Sequence, residues 1–118
     1  MTKGLKRGDI VKVRLDPAEG SEQGGERPAV VISPDFINDR SPVIIVAAIT
    51  SRKTDRIFPL DVLIEPPDSG LATRSKAMLT QIRTIDASRV TGSYGTLSPA
   101  TIAAIDEALK IALGLEPL

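Results

Sequence analysis

The chain has 118 residues, the length of a single domain over residues 1–118, and is long enough to bury roughly two thirds of the surface of its unfolded form. It has no cysteine, which excludes disulfide bonds and thiolate zinc sites, and no histidine, so any catalysis must use Arg, Lys, carboxylates, hydroxyls and backbone groups. Its 15 basic and 15 acidic residues cancel, and it has neither an apolar run of about 18 residues nor a signal-peptide pattern, so we expect a cytoplasmic protein without a membrane span.

The first part of the chain predicts two strands separated by a polar loop. Residues 10–15 alternate between apolar and basic side chains, which is the period of a half-buried strand. Residues 16–26 are rich in glycine and carboxylates, and residues 28–33 have the apolar character of a buried strand. Arg27 stands between the loop and this strand, where its guanidinium fork could bind a phosphate or a carboxylate.

The middle of the chain predicts two further strands. Turn-forming residues at 38–42 precede an unbroken apolar run at 43–49 that is rich in β-branched side chains and indicates a central strand. Residues 50–58 form a polar loop, and residues 60–65 alternate again before two prolines end the segment.

Pairing of residues 28–33 with residues 43–50 as an antiparallel hairpin would bring functional side chains together. The end of one strand and the beginning of the other would then share an edge. Arg27, Thr50 and Ser51 would converge there, as a phosphate site requires.

Each of these residues also has a purely structural explanation. Thr50 could be present only because threonine favours strands. The basic residues of the loops and strand ends could form an ordinary solvated surface or a rim for nucleic acid (Arg52, Lys53, Arg56, Arg74 and Lys76). Arg27 could form a structural ion pair with a carboxylate of the neighbouring loop (Asp16, Glu22 or Glu26).

A fifth strand is predicted by the alternation of residues 77–85. This alternation assigns Leu79, Gln81, Arg83 and Ile85 to one face of the strand. Gln81 and Arg83 should therefore point the same way.

The last segment predicts an amphipathic helix of about four turns. Ser98 is a suitable N-cap with Pro99 at the first helical position, and apolar residues recur at helical spacing up to Gly114. Five strands with mostly hairpin connections and one C-terminal helix indicate a mainly β fold, a small and strongly curved antiparallel sheet or barrel.

A series of short motifs runs through nearly the whole chain in a recognisable order. They are KRGDIV at 6–11, LDP at 15–17, GSEQ at 20–23, RPAVVIS at 27–33, VAAIT at 46–50 and QIRTID at 81–86. Together they resemble the MazF/PemK family of toxin endoribonucleases from bacterial toxin–antitoxin pairs.

This resemblance implies a fold, an activity and partners. The fold would be a compact SH3-like barrel of the CcdB/PemK type with a C-terminal helix, forming a homodimer across which RNA lies. The activity would be sequence-specific, metal-independent and ribosome-independent cleavage of single-stranded mRNA, giving 2′,3′-cyclic phosphate and 5′-hydroxyl ends. No cofactor is implied, and the protein partner would be a MazE-like antitoxin with an acidic, disordered tail.

The resemblance also assigns roles to individual residues. Arg27 and Thr50 match the catalytic positions, and Glu22 matches an acidic position implicated in some members. Either Glu22 or a desolvated Arg27 would take the proton of the 2′-hydroxyl. The positions that match residues near the RNA are Ser21, Gln23, Ser51, Gln81 and Arg83.

Two other kinds of function remain open at this stage. A CcdB-like toxin would share the fold but inhibit DNA gyrase without nuclease activity, and it would not need the pair formed by Arg27 and Thr50. An SH3-like interaction module is less consistent with the sequence, because few aromatic residues are available to line a peptide groove.

Overall fold

The protein forms one six-stranded antiparallel sheet with short helices and a longer C-terminal helix. A computed structural model describes residues 4–14 and 25–118. The strands are β1 (Asp9–Arg14), β2 (Glu26–Val31), β3 (Val43–Thr50), β4 (Asp61–Ile64), β5 (Ser75–Asp86) and β6 (Val90–Thr96), in the sheet order β4-β5-β3-β2-β1-β6. The α-helices are α1 (Asp35–Arg40), α2 (Pro66–Ser69) and α3 (Pro99–Ala112), and a short 3₁₀-helix spans Ala87–Arg89. This confirms the predicted mainly β fold with a C-terminal helix.

The alternation of side chains along the strands produces two hydrophobic cores, one on each face of the sheet. The helix-side core lies between the sheet and α3, and includes Ile10, Val30 and Ile105. The opposite core consists mostly of sheet residues, such as Val31 and Val46, which pack against one another. The sheet is curled into a half-barrel.

The predicted hairpin and the predicted helix are both confirmed. β2 pairs with β3 in antiparallel register, with Ala29 opposite Ala48. α3 begins with Pro99 at its first position, and the side chain of Ser98 accepts a hydrogen bond from the backbone N–H of Thr101. Among the described residues, no helix has the length and apolar character needed to cross a membrane.

The structure contains several elements that the sequence patterns did not predict, among them α2, which begins at the two prolines. β6 has the sequence VTGSYGT, in which glycine and small polar residues hide the period of a strand, yet it pairs with β1 along the edge of the sheet. Part of the predicted turn at 38–42 is instead the end of α1. That helix is fixed by the buried Asn38, whose amide donates to the carbonyl oxygen of Ser33 at 3.0 Å.

The prediction that Leu79 and Ile85 lie on the same face of the fifth strand is wrong. Ala47 lies opposite Ile82, but the next residue, Ala48, lies opposite Met78, so residues 79–81 form a bulge in β5. Because the bulge contains an odd number of extra residues, it reverses the alternation of side chains. Leu79 consequently packs in the helix-side core, whereas Ile85 packs in the opposite core.

The N-terminus of α3 is held by the carboxylate of Asp68 in α2. Asp68 accepts hydrogen bonds from the backbone N–H of Ser98 at 2.7 Å, from the Ser98 hydroxyl at 3.3 Å and from the Thr101 hydroxyl. Gly70 ends α2 with φ of +77°, and a side chain there would collide with the carbonyl oxygen of Tyr94. These contacts connect α2, β6 and the beginning of α3.

The contribution of this junction to the stability of the protein should depend on pH. Burial by itself would raise the pKa of Asp68, but the hydrogen bonds from Thr101 and Ser98 outweigh it and hold the pKa below its ordinary value of 3.8. A carboxyl group with a lowered pKa in the folded state stabilises the fold above its unfolded pKa and loses that contribution as the pH falls through its folded pKa. We expect Asp68→Asn to unfold at a lower urea concentration than the unmodified protein at pH 7. Below pH 3.8, its urea midpoint should fall less steeply with decreasing pH than that of the unmodified protein.

The matched control for this prediction is Asp39→Asn, at an exposed position in α1. It should leave both the midpoint at pH 7 and its acid dependence close to those of the unmodified protein. An equally steep acid decline in Asp68→Asn and the unmodified protein would show that Asp68 is not the group responsible.

Candidate functional site

The register of β2 and β3 brings Arg27 and Thr50 to the same place on the sheet. Ala29 lies opposite Ala48, and two further steps of the same antiparallel register bring Arg27 level with Thr50. Because side chains alternate along a strand, Arg27 lies on the face of Ala29, which belongs to the core opposite α3. The two predicted catalytic residues thus share the sheet face that is not covered by α3.

Two neighbouring cavities occupy this face, and together we call them the Arg27 groove. One, of about 490 Å³, is lined by Arg27, Pro28, Ala48, Ile49, Thr50, Arg52, Met78 and Gln81. The other, of about 350 Å³, is lined by Val13, Arg27, Pro28, Ala29, Val46, Ala48, Gln81, Ile82, Arg83 and Ile85. Arg27 and Gln81 line both cavities. Apolar side chains therefore line the groove together with cationic and amide groups.

The polar side chains of the groove are suited to binding an anion. Arg27, Arg52 and Arg83 supply guanidinium groups, which remain positively charged at any ordinary pH and can bind phosphate through two parallel hydrogen bonds. The Thr50 hydroxyl accepts a hydrogen bond from the backbone N–H of Arg52 at 3.0 Å. This contact uses a lone pair of the oxygen and not the hydroxyl hydrogen, so Thr50 retains a donor.

The structure brings together four of the predicted site residues. Arg27, Thr50, Gln81 and Arg83 line the groove. Ser51 directly follows Thr50 and is exposed. The predicted residues of the polar loop, Ser21, Glu22 and Gln23, lie outside the described residues.

Two of the basic residues expected at a rim or on a solvated surface have distinct positions in the structure. Arg52 lines the groove itself, and the hydrogen bond to Thr50 explains its place there. Lys76 is buried, with only 5% of its surface exposed, so its assignment to a rim is wrong. Its burial depends on partners distant in the sequence, which no local pattern could have indicated.

No metal ligand set accompanies the groove in the part of the chain that the structure describes. Residues 4–14 and 25–118 contain no group of three carboxylates arranged to hold a metal ion. Among the described residues, the polar side chains of the groove are three guanidiniums, one hydroxyl and one amide.

Comparison with known protein families identifies the chain. The model of the PemK-like, MazF-like toxins of type II toxin–antitoxin systems matches residues 6–113. The chain belongs to this family. The resemblance expected from the sequence motifs is thereby confirmed.

Solved structures of MazF proteins share the fold. MazF from Deinococcus radiodurans in complex with MazE superposes with a TM-score of 0.80 at 26% identity, covering 98% of this chain and 100% of that one. MazF alone from the same organism gives a TM-score of 0.73 at 26% identity, covering 93% of this chain and 96% of that one. A mycobacterial endoribonuclease gives 0.80 at 22% identity, with 100% and 98% covered, which shows a common fold.

Proposed function

We propose that this member of the MazF/PemK family is an endoribonuclease, the toxin of a toxin–antitoxin pair, and that it cleaves single-stranded mRNA at a short sequence without a metal or the ribosome. One observation carries the proposal. Arg27 and Thr50, from two different strands, line a single cavity on the face of the sheet away from α3. A guanidinium and a hydroxyl placed together in this way can act on one phosphate.

The proposed reaction is a transesterification within the RNA strand. The 2′-oxygen of one nucleotide attacks the adjacent phosphorus, and the bond from phosphorus to the 5′-oxygen of the next nucleotide breaks. The products are a 2′,3′-cyclic phosphate and a 5′-hydroxyl, with the proton of the 2′-hydroxyl passing to a base and a proton reaching the leaving oxygen. The nucleophile belongs to the substrate, so the reaction does not require a metal-bound water.

In this mechanism Arg27 and Thr50 stabilise the transition state. Negative charge builds up on the non-bridging oxygens of the phosphate, and the fork of Arg27 can donate two hydrogen bonds to them. Thr50 donates through its hydroxyl hydrogen. A guanidinium holds its proton at any ordinary pH, which makes Arg27 a poor base, so Glu22 is the first candidate for removing the proton and a desolvated Arg27 the second.

The remaining residues of the groove would determine which RNA sequences bind. The amide of Gln81 can hydrogen-bond the edge of an unstacked base, and Arg83 can bind a phosphate or stack on a base. Ser21, Gln23 and Ser51 are proposed as further RNA contacts. Recognition of unstacked bases would restrict cleavage to single-stranded RNA.

The proposed protein partners are an antitoxin that binds the groove and a second copy of this chain. A MazF of Deinococcus radiodurans has been solved in complex with MazE. We propose that a MazE-like antitoxin inhibits this protein by placing an acidic segment against the arginines of the groove. The active form would be a homodimer in the cytoplasm.

The test is incubation of the purified protein with a long single-stranded RNA in EDTA. We expect cleavage at discrete sites, with cyclic phosphate and 5′-hydroxyl ends. A substrate carrying a single 2′-deoxynucleotide before the cleaved bond should resist, because it lacks the nucleophile. Intact RNA together with inhibition of DNA gyrase in a parallel assay would favour a CcdB-like toxin, which the family match makes the weaker alternative.

A further inference from the structure

Lys76 occupies an unusual position next to the groove. It lies on β5 directly opposite Thr50 in the register of β3 and β5, and only 5% of its surface is exposed. Residues 51–60 connect β3 to β4, and we call them the Arg52 loop. Arg52, Lys53 and Arg56 give the loop three exposed cations.

The ammonium group of Lys76 holds the Arg52 loop through several contacts. Its Nζ donates to the carbonyl oxygen of Arg56 at 2.7 Å and lies 3.1 Å from Oδ2 of Asp61. It is also 5.4 Å from the centre of the Phe58 ring, within the range of a cation–π contact. Asp61 in turn accepts a hydrogen bond from the backbone N–H of Phe58 at 3.0 Å. The second half of the loop is thereby tied to β5.

The first half of the loop is tied to the groove. Thr50 accepts the hydrogen bond from the N–H of Arg52, and Arg52 lines the larger cavity. Lys53 has φ of +51°, a left-handed conformation that is unfavourable for a residue other than glycine. Such a turn persists only where the flanking chain is held.

The ion pair of Lys76 and Asp61 is poorly explained by stability alone. Both side chains are almost completely buried, at 6% and 9% exposure. Removing a buried pair from water costs about as much as its attraction returns, and apolar replacements are often equally stable. A role in holding the Arg52 loop in place would explain why this buried pair is present.

We propose that Lys76 is a positioning residue for RNA cleavage, which anchors the Arg52 loop so that Arg52 remains over the groove and binds the RNA backbone. This inference rests on the proposed function. Lys76 itself is buried under the loop and acts through Arg52.

The experiment compares Lys76→Met, the double variant Lys76→Met/Asp61→Leu and the control Lys110→Met. Lys76→Met leaves the Asp61 carboxylate buried without its cation and should be less stable. The double variant replaces the whole pair with apolar groups and should melt close to the unmodified protein. Lys110 lies on α3, where it pairs with Glu107 at 3.1 Å. The control Lys110→Met removes the same positive charge at a position away from the groove.

Two measurements are made on the stable double variant. Trypsin cleaves after Arg52, Lys53 and Arg56, and we expect these cuts to be faster by roughly tenfold or more, because proteolysis follows the population of the open loop. We also expect KM for RNA to increase by roughly tenfold, with a smaller change in kcat, because Arg52 contacts bound RNA. In an Arg52→Gln background, replacing the pair should raise KM no further.

The possible failures are distinguishable. One failure is faster trypsin cleavage of the loop in the double variant with an unchanged KM for RNA, while the unmodified protein cleaves RNA. The inference is then wrong and the proposed function stands. An increase in KM of the same size in the Arg52→Gln background would also overturn the inference, because Lys76 would then act by another route. Absence of cleavage by the unmodified protein would overturn the proposed function and the inference with it.

Discussion

Replacing Arg27 with alanine is expected to lower the rate of RNA cleavage by roughly 10²-fold or more, the usual effect of removing one transition-state donor. Arg27 is exposed at the beginning of β2, so the loss of its side chain leaves both cores intact. The thermal midpoint should therefore stay close to that of the unmodified protein. The rate is measured in single turnover with excess enzyme, which separates the chemical step from binding.

Two further variants make the result specific to the guanidinium. Arg27→Lys keeps the positive charge but loses the planar fork, and it should recover little of the activity if two parallel hydrogen bonds to the phosphate are needed. Arg40→Ala removes an exposed arginine from the end of α1 and should cleave normally. Normal single-turnover rates in Arg27→Ala would remove Arg27 from the mechanism.

Replacing Ile105 with aspartate is expected to destabilise the protein by several kcal/mol, enough to unfold much of a domain whose total stability is about 5–15 kcal/mol. Ile105 is 2% exposed and lies in the helix-side core between α3 and the sheet. A carboxylate there would be buried among apolar side chains. Thermal or urea unfolding followed by circular dichroism measures the loss.

The matched control is Ala103→Asp, which places the same charge at an exposed position of the same helix. It should change the melting temperature very little. Because α3 lies on the face of the sheet opposite the Arg27 groove, any folded fraction of Ile105→Asp should cleave RNA at the normal rate. Equal melting temperatures for Ile105→Asp and the unmodified protein would show that α3 does not dock through Ile105.

The elements that could be predicted from the sequence are those specified by local patterns. The apolar run of β3 and the pairing of β2 with β3 followed from composition and turn signals, and these two strands bring Arg27 level with Thr50. The start of α3 followed from the cap at Ser98 and from Pro99. In each case the residues that specify the element lie within it or directly beside it.

The features that could not be predicted depend on residues that are distant in the sequence. β6 has little apolar character, and its strand conformation comes from pairing with β1 at the other end of the chain. The burial of Lys76 requires the carbonyl of Arg56, 20 residues away, and the carboxylate of Asp61. The roles assigned to all the site residues remain predictions, and Ser21, Glu22 and Gln23 also lie outside the described part of the chain.

The bulge at residues 79–81 has a consequence for how relatives of this protein can diverge. It restores Gln81 and Arg83 to the groove after Leu79 has packed under α3. An odd number of bulged residues lets Leu79 face the helix-side core while Arg83, paired with Val46, faces the groove. Gln81 and Arg83 are both exposed, so if they select bases as proposed, substitutions there would change the cleavage sequence and leave both cores intact.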